Sequence, residues 1–513
     1  MNTPPLRSGS AGSGSPEWLP PEIARFLSDP SPQTFTVRGP PGAGKTTFAL
    51  AVLEQFKGYR AFVSARVPKS SIIRAHPWVG TAGAGGIDIM ESLRFRGGPD
   101  LPGLRVGQLR DALQERASDL VELTSVLRLP RELEEAVAAH ETWPKLVTID
   151  SWEAWVENTL GSTPRSLDEP TTRWELERSL LDVFRDSGVH TMLVVEREDR
   201  TRLDYVADGA LSLTVTESDG RAERWISFQK LRGTKLGSLS YPFTLEGGRF
   251  RCIPPTAFHA PLELLPAEPD PGPTTAGLWP GSVAFATRFG RLPIPGSTLL
   301  EADGETPVRL LWRLVVPMIS SALRSGGRVV VRPPVHLASQ EIWKALEPVR
   351  ASSDVENGLR ILFSEVESSL PGKPEGPFLR IAGEGLVEAN RSIDRLDAVG
   401  FFRTALPPTA RSLVVLFVDS PFEPTGAAAG PEPFMALAGL ARRSGNVAIV
   451  LVARTSDAFI EPIRSRSALH LQVHSSRGQF FLTGIRPWTP HFALALSPAE
   501  GGPAPPYELV PIV

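Results

Sequence analysis

The sequence predicts an α/β protein made of two similar domains, each with a mostly parallel central sheet, and three observations predict it. Segments typical of strands alternate with segments typical of helices. A glycine-rich loop over residues 39–47 separates a predicted strand from a predicted helix. Landmarks of the first half recur in the same order in the second half. Such alternation favours parallel sheets that are covered by helices on both faces.

The elements of the first half follow from local composition and spacing. β-branched and aromatic residues predict a strand at Thr34–Arg38, before the loop. Apolar residues spaced between Phe48 and Phe56 predict a buried helix after it. Further strands are predicted at Ala61–Ser64, Leu146–Ile149, His190–Val195, Leu211–Thr216 and Arg224–Gln229. Further helices are predicted at Pro21–Leu27, over about 100–140 and over about 172–187.

Four landmarks indicate an internal duplication. The segments Arg60–Val63 and Val147–Ser151 recur 268 and 269 residues later. The other two pairs are Ser187–Val195 with Ser444–Val452 and Gln229–Arg232 with Thr483–Arg486. Hydrophobic strands can resemble one another by chance, but Asp-Ser and Ser-Gly also recur at matched places. We therefore expect a disordered tail at 1–16, a domain at 17–255, a Pro- and Glu-rich linker at 256–275, and a second domain at 276–513.

Composition narrows the function classes. The chain has 54 basic and 57 acidic residues, so its net charge of −3 argues against nucleic acid as a partner. Cys252 is the single cysteine, which excludes a disulfide scaffold. The longest apolar stretch of helical character, Leu314–Leu323, is far shorter than the ~20 residues of a membrane span. With no signal-peptide pattern recognised, we expect a cytoplasmic protein without a membrane partner.

The glycine-rich loop has the pattern G-x-x-x-x-G-K-[ST] in the context that this motif requires, between strand and helix. Its residues are Gly39, Pro40, Pro41, Gly42, Ala43, Gly44, Lys45, Thr46 and Thr47. Backbone N–H groups of such a loop cradle phosphate oxygens at a helix N-terminus. We expect Lys45 to reach the β- and γ-phosphates of ATP and the Thr46 hydroxyl to bind Mg²⁺.

A phosphate-bound Mg²⁺ also needs a carboxylate at the end of a neighbouring strand. Asp150 follows the apolar run Leu146–Ile149 and has that form. An apolar run that ends in Asp also describes ordinary strand ends. Together with the loop, it makes Asp150 the candidate second metal ligand beside Thr46.

These motifs carry a family resemblance over about residues 18–253. The loop, the segment Ile149–Ser151 and the segment Phe228–Thr234 resemble the KaiC-like and RadA-like branch of the RecA superfamily of P-loop ATPases. The resemblance implies two tandem RecA-like domains. It also implies that Lys230 and Arg232 reach the nucleotide of an adjacent subunit in a homo-oligomer. The opening Leu19–Leu27 also looks like the GvpD family of archaeal gas-vesicle regulators.

The sequence departs from that family where water is activated. The family carries a Glu pair after the second strand, and those places fall on Arg66 and Val67. Neither side chain is a general base for water. Glu196, directly after the strand predicted at His190–Val195, is a candidate substitute. A Glu in a charged run such as Glu196–Arg200 is, however, commonly an exposed surface residue. The chain is therefore expected to bind ATP and to be at most a weak ATPase, with Lys45, Glu196, Lys230 and Arg232 as its catalytic candidates.

The second half departs further. Its first strand is predicted at Ser297–Leu300, and the place of the loop is taken by Glu301–Pro307, which has no lysine and three acids. Asp419 remains, whereas Gly484 replaces the lysine of the Lys-x-Arg motif and Arg486 stays. This domain is expected to have lost ATP binding and to hold a regulatory protein partner.

Two functions from different classes fit these features. The first is an ATP-dependent regulatory switch or assembly factor with slow or absent hydrolysis, which the missing Glu pair favours. The alternative is an energy-coupled DNA repair or recombination ATPase of RadA-like type. That alternative requires DNA-binding elements, and the negative net charge does not favour it.

Overall fold

The computed structural model describes residues 19–80, 86–91, 131–140, 144–160, 170–197, 199, 202–254, 267–272, 277–332, 358–363, 378–380, 411–418, 439, 443, 445–454, 457–495 and 507–513. The predicted tail at 1–16, the predicted helical residues 100–130, most of the predicted linker and Asp419 lie outside these ranges. The chain divides into two compact units at Pro254 and Pro255, and the last two residues, Ile512 and Val513, belong to the first unit.

The described residues of the first unit include nine strands: β1 Thr34–Arg38, β2 Tyr59–Ser64, β3 Asp88–Glu91, β4 Lys145–Asp150, β5 His190–Val194, β6 Gly209–Ser218, β7 Arg221–Leu231, β8 Ser240–Thr244 and β9 Arg251–Cys252. They form one sheet in the order β3-β2-β4-β5-β1-β6-β7-β8-β9. The first six strands of that order, β3-β2-β4-β5-β1-β6, pair in parallel. The remaining pairs, β6-β7, β7-β8 and β8-β9, are antiparallel. The carboxyl ends of β1, β4 and β5 therefore lie along one edge.

Helices cover both faces of this sheet. They are α1 Pro21–Leu27, α2 Lys45–Gln55, α3 Lys69–Ala75, α4 Pro77–Gly80, α5 Arg131–Ala139, α6 Trp152–Leu160, α7 Pro170–Asp186 and α8 Leu203–Val206. One core cluster combines α2 with one set of strand residues, such as Val37 and Met192. A second cluster combines α6 and α7 with the alternate set, such as Val147 and Leu193. Because successive strand residues point to opposite faces, these clusters are the two sides of one sheet.

The second unit repeats this architecture. Its strands are β10 Gly296–Ala302, β11 Arg328–Arg332, β12 Leu359–Phe363, β13 Phe378–Arg380, β14 Ser412–Val418, β15 Val447–Ala453, β16 Leu469–Ser476, β17 Gln479–Arg486, β18 His491–Ala495 and β19 Glu508–Pro511. The order is β13-β12-β11-β14-β15-β10-β16-β17-β18-β19. With β13 set aside, this is the strand order of the first unit. The predicted fold class, two tandem RecA-like α/β domains, is confirmed.

Where the structure describes the second unit, its helices are α9 Val283–Phe289, α10 Val308–Arg324 and α11 Asp457–Arg466. Helix α10 contains the apolar stretch Leu314–Leu323 and buries it in the core of the unit. Residues 267–272 of the predicted linker are packed on this unit, since Glu268 N–H donates to the Gly281 carbonyl. No helix in the described part of the chain is long and apolar enough to cross a membrane.

Candidate functional site

The predicted phosphate loop joins the carboxyl end of β1 to the N-terminus of α2. Gly39, Gly42 and Gly44 have φ values of +149°, +77° and +94°, which side chains rarely adopt. At Gly39 a Cβ atom would also lie 2.3 Å from the Leu213 carbonyl oxygen, so the tight approach of β6 requires glycine there. The sequence supplies glycine at the places where the backbone must curl.

Helix α2 gives the loop an N-terminus that favours anions. It begins at Lys45, with Gly44 as the N-cap residue and no acid in its first turn. The first N–H groups of a helix lack intrahelical partners, and the helix dipole places partial positive charge there. Seven consecutive residues, Thr47–Leu53, are buried, which fixes this helix against the sheet. Lys45 Nζ contacts the Gly39 and Pro40 carbonyl oxygens, so its charge lies over the loop.

Thr46 and Asp150 meet as the sequence predicts for a metal site. The Thr46 hydroxyl donates to a carboxylate oxygen of Asp150, with Oγ1 and Oδ2 2.6 Å apart. Burial raises the pKa of Asp150, while the hydrogen bond from Thr46 and the charge of Lys45 oppose that rise. A hydroxyl and a carboxylate oxygen are ligands that Mg²⁺ accepts beside phosphate oxygens. The donor set thus fits Mg²⁺, which would be held by Thr46 and Asp150 and would screen the phosphate charge.

The residues at the expected positions of the water-activating pair form a different arrangement. Arg66 makes an ion pair with Glu196, with Nη1 and Oε1 2.5 Å apart. Val67 is 46% exposed, and its backbone closes a turn with the Ser64 hydroxyl. The Glu196 backbone N–H donates to the carboxylate of Glu153. In this arrangement the Glu196 carboxylate is engaged by a cation of its own chain.

The Lys-x-Arg pair at the end of β7 contacts its own chain. Lys230 Nζ donates to the carbonyl oxygens of Asp204, Tyr205 and Ala207, at the end of α8. Arg232 pairs with Asp208 at 3.2 Å and also donates to the Tyr205 carbonyl. The structure holds a single chain, so the expected contact with a second subunit stays a prediction.

One contact to the loop was not predicted from the sequence. Arg224 on β7 donates from Nη1 to the Gly42 carbonyl oxygen at 3.2 Å. An arginine in an alternating strand has no motif that connects it to a distant loop. Only the pairing of β6 with β7, and of β6 with β1, brings this side chain to the phosphate loop.

In the second unit, the turn that replaces the loop is closed by its own carboxylate. Asp303 accepts hydrogen bonds from the Thr306 N–H and hydroxyl and from the Ser475 N–H, at 2.7, 2.5 and 2.7 Å. Arg454 donates to the Gly304 carbonyl. A side-chain carboxylate thus receives N–H groups where the first unit has a glycine-rich cradle. This agrees with a degenerate second domain.

Comparisons with known proteins match this architecture. Residues 23–229 match the family model described as the GvpD gas vesicle protein, P-loop domain. Protein GvpD2 of Halobacterium salinarum is 28% identical in an alignment of 354 residues that covers 65% of this chain and 64% of that relative. Protein GvpD1 of the same organism is 29% identical in an alignment of 354 residues that covers 67% of this chain and 59% of that relative. The chain therefore spans about six-tenths of the length of these curated relatives and carries a GvpD-like P-loop domain, which confirms that resemblance.

Proposed function

We propose that this chain, as the bearer of a GvpD-like P-loop domain, is a cytoplasmic regulatory protein that acts as an ATP-dependent switch. By likeness to the GvpD proteins, its regulation concerns gas vesicles. The observation that carries the proposal is the contact between Thr46 and Asp150 beside the glycine-rich loop. A hydroxyl, a carboxylate and a lysine around a helix N-terminus form the arrangement that Mg·ATP needs.

Each residue of the loop has a distinct part in binding. The N–H groups of Gly42–Thr47 surround the phosphates, and Lys45 neutralises the β- and γ-phosphate charge. Thr46 and Asp150 hold Mg²⁺. The buried residues Ala43 and Thr47 anchor the loop and the start of α2 in the domain. When bound, Mg²⁺ stabilises negative charge on the phosphate oxygens.

Slow hydrolysis is part of the proposal. Activation of water requires a group that accepts its proton, and the two expected positions carry Arg66 and Val67. The Glu196 carboxylate is paired with Arg66. A long-lived ATP state suits a switch, because the signal lasts as long as the nucleotide stays intact.

The second domain and the oligomer complete the proposal. Asp303 closes the turn at the start of α10, which supports ATP binding to the first domain alone. In the proposal, the second domain serves a regulatory protein partner instead. Lys230 and Arg232 support a homo-oligomer when they exchange their contacts in the chain for the nucleotide of a neighbouring subunit.

Binding, assembly and hydrolysis are tested together on one set of samples. Bound ATP is measured by equilibrium titration, mass by light scattering, and released phosphate by a colorimetric assay. We expect Lys45→Ala to abolish ATP binding, and Arg232→Ala to bind ATP but to assemble less. Lys69→Ala, an exposed lysine on α3, is the matched control. Phosphate release far below the ~1 s⁻¹ lower end of typical enzyme turnover supports a switch.

Two results overturn this proposal. Unchanged ATP affinity in Lys45→Ala removes the site assignment. Fast phosphate release, together with a salt-sensitive DNA complex, instead supports the energy-coupled ATPase of RadA-like type.

A further inference from the structure

The ion pair between Arg66 and Glu196 spans the strand that carries the metal ligand. Arg66 lies two residues after the end of β2, and Glu196 lies two residues after the end of β5. In the sheet, β4 lies between these two strands. The pair therefore bridges the carboxyl end of β4, where Asp150 contacts Thr46 of the phosphate loop.

The charges of Arg66 and Glu196 both act on the Asp150 carboxylate. The charge of Glu196 raises the pKa of Asp150, and the charge of Arg66 lowers it, beyond the larger effects of burial, Thr46 and Lys45. Both partners thus act on a carboxylate that is in direct contact with the loop.

The ion pair between Arg66 and Glu196 is open to solvent, so a ligand can replace one partner. The Arg66 and Glu196 side chains are 54% and 40% exposed, and exposed ion pairs contribute little to stability. A terminal phosphate offers an arginine more negative charge than one carboxylate and two oxygens in the geometry of the guanidinium fork. The Glu196 backbone N–H donates to the carboxylate of Glu153, a contact that does not involve the Glu196 side chain.

We propose that Arg66 binds the terminal phosphate of ATP and that Glu196 is an internal anion that competes for Arg66 when this phosphate is absent. The pair then makes the site distinguish a nucleoside triphosphate from a diphosphate. This inference rests on the proposed function, because it requires that the loop bind a nucleotide. It gives the proposed switch its means of sensing the terminal phosphate.

The test compares Mg·ATP and Mg·ADP affinities by calorimetric titration of the full chain. Arg66→Ala is expected to lose ATP affinity by about tenfold or more, since hydrogen bonds to charged groups are worth about that factor, and to keep its ADP affinity. Glu196→Gln is expected to gain ATP affinity by several-fold, because the competitor for Arg66 is removed. In the double variant, that gain disappears. Arg74→Ala is the matched control, because this arginine on α3 is exposed and its contact among the described residues is a local one to Ser71.

Three outcomes overturn the inference. They are equal losses of ATP and ADP affinity in Arg66→Ala, no loss at all in that variant, and weaker ATP binding in Glu196→Gln. Both side chains are exposed, and thermal melting shows whether each variant is folded. If the unmodified chain binds neither nucleotide, the proposed function itself fails. If ATP binds and Lys45→Ala abolishes that binding, while Arg66→Ala leaves the preference for ATP intact, only the inference fails.

Discussion

The replacement Glu301→Gln tests the reasoning about the second domain most quantitatively. Glu301 lies near the end of β10 and accepts hydrogen bonds from Arg464 Nε and His470 Nε2, both at 3.0 Å. Burial alone would raise its pKa from 4.5, but the hydrogen bonds and charges of His470 and Arg464 hold the pKa at about 2. A carboxyl shifted that far stabilises the fold by about 3 kcal/mol. The glutamine variant is expected to lose this stabilisation near neutral pH.

The sign of the pH dependence follows from the lowered pKa. Because the folded pKa lies below the unfolded value, the stabilisation is full above pH 4.5 and is lost as the pH falls toward 2. The difference in unfolding free energy between the unmodified chain and Glu301→Gln should therefore decrease from about 3 kcal/mol near pH 7 to a value close to zero near pH 2. Urea unfolding followed by tryptophan fluorescence measures this difference, and Trp312 is buried in the same unit.

Glu461 supplies the matched control, because it contacts the same arginine from an exposed position. Its carboxylate lies 3.0 Å from Arg464 Nη1, and its side chain is 70% exposed. Glu461→Gln should change stability by less than about 1 kcal/mol. Equal effects of the two substitutions, or a pH-independent effect of Glu301→Gln, would refute the assignment of the stabilisation to the partly buried ion cluster of Glu301, Arg464 and His470.

Three further predictions concern the first domain. Gly39→Ala should lower the free energy of unfolding by about 2 kcal/mol or more, because the added Cβ meets the Leu213 carbonyl. Gly42→Ala, with open space around its Cβ, should lower it by only about 1 kcal/mol, and equal melting temperatures of the two variants would contradict this. Asp150→Asn should remove the gain in ATP affinity that Mg²⁺ provides, as titrations with and without a chelator will show, and an unchanged gain would exclude Asp150 as a metal ligand. Lys230→Met should speed hydrogen exchange over residues 203–208 by the loss of about 1–3 kcal/mol from three carbonyl contacts, and unchanged exchange would show that these contacts do not hold the turn.

Much of the fold could be predicted from the sequence because its signals are local. The strand before the loop, the buried helix after it and the strand that ends at Asp150 depend on nearby residue types alone. The glycines of the loop also identify themselves, since a tight curl at a strand end requires positive φ angles. The duplication predicted from four short landmarks appears as the same strand order in both sheets. Strands β3, β8 and β9 were not predicted. The two strands at the sheet edges, β3 and β9, have only four and two residues, which carry a weak pattern.

The finer contacts of the site could not be predicted because they depend on which strands are neighbours. Arg66 and Glu196 are 130 residues apart in sequence and meet only because β2 and β5 flank β4. Arg224 reaches Gly42 only through the pairing of β6 with β7. The segment Glu301–Pro307, with three acids and no lysine, predicts that the second domain has lost ATP binding. The structure adds that Asp303 closes the turn itself.

The stoichiometry of Mg·ATP binding tests the central claim most directly. Calorimetric titration of the full chain is expected to give one ATP per chain, and none when Lys45 is replaced by alanine. One site is expected because the glycine-rich loop with Thr46 and Asp150 is in the first domain, whereas Asp303 closes the matching turn of the second. Two equivalents of ATP per chain, or one that persists in Lys45→Ala, would contradict the account.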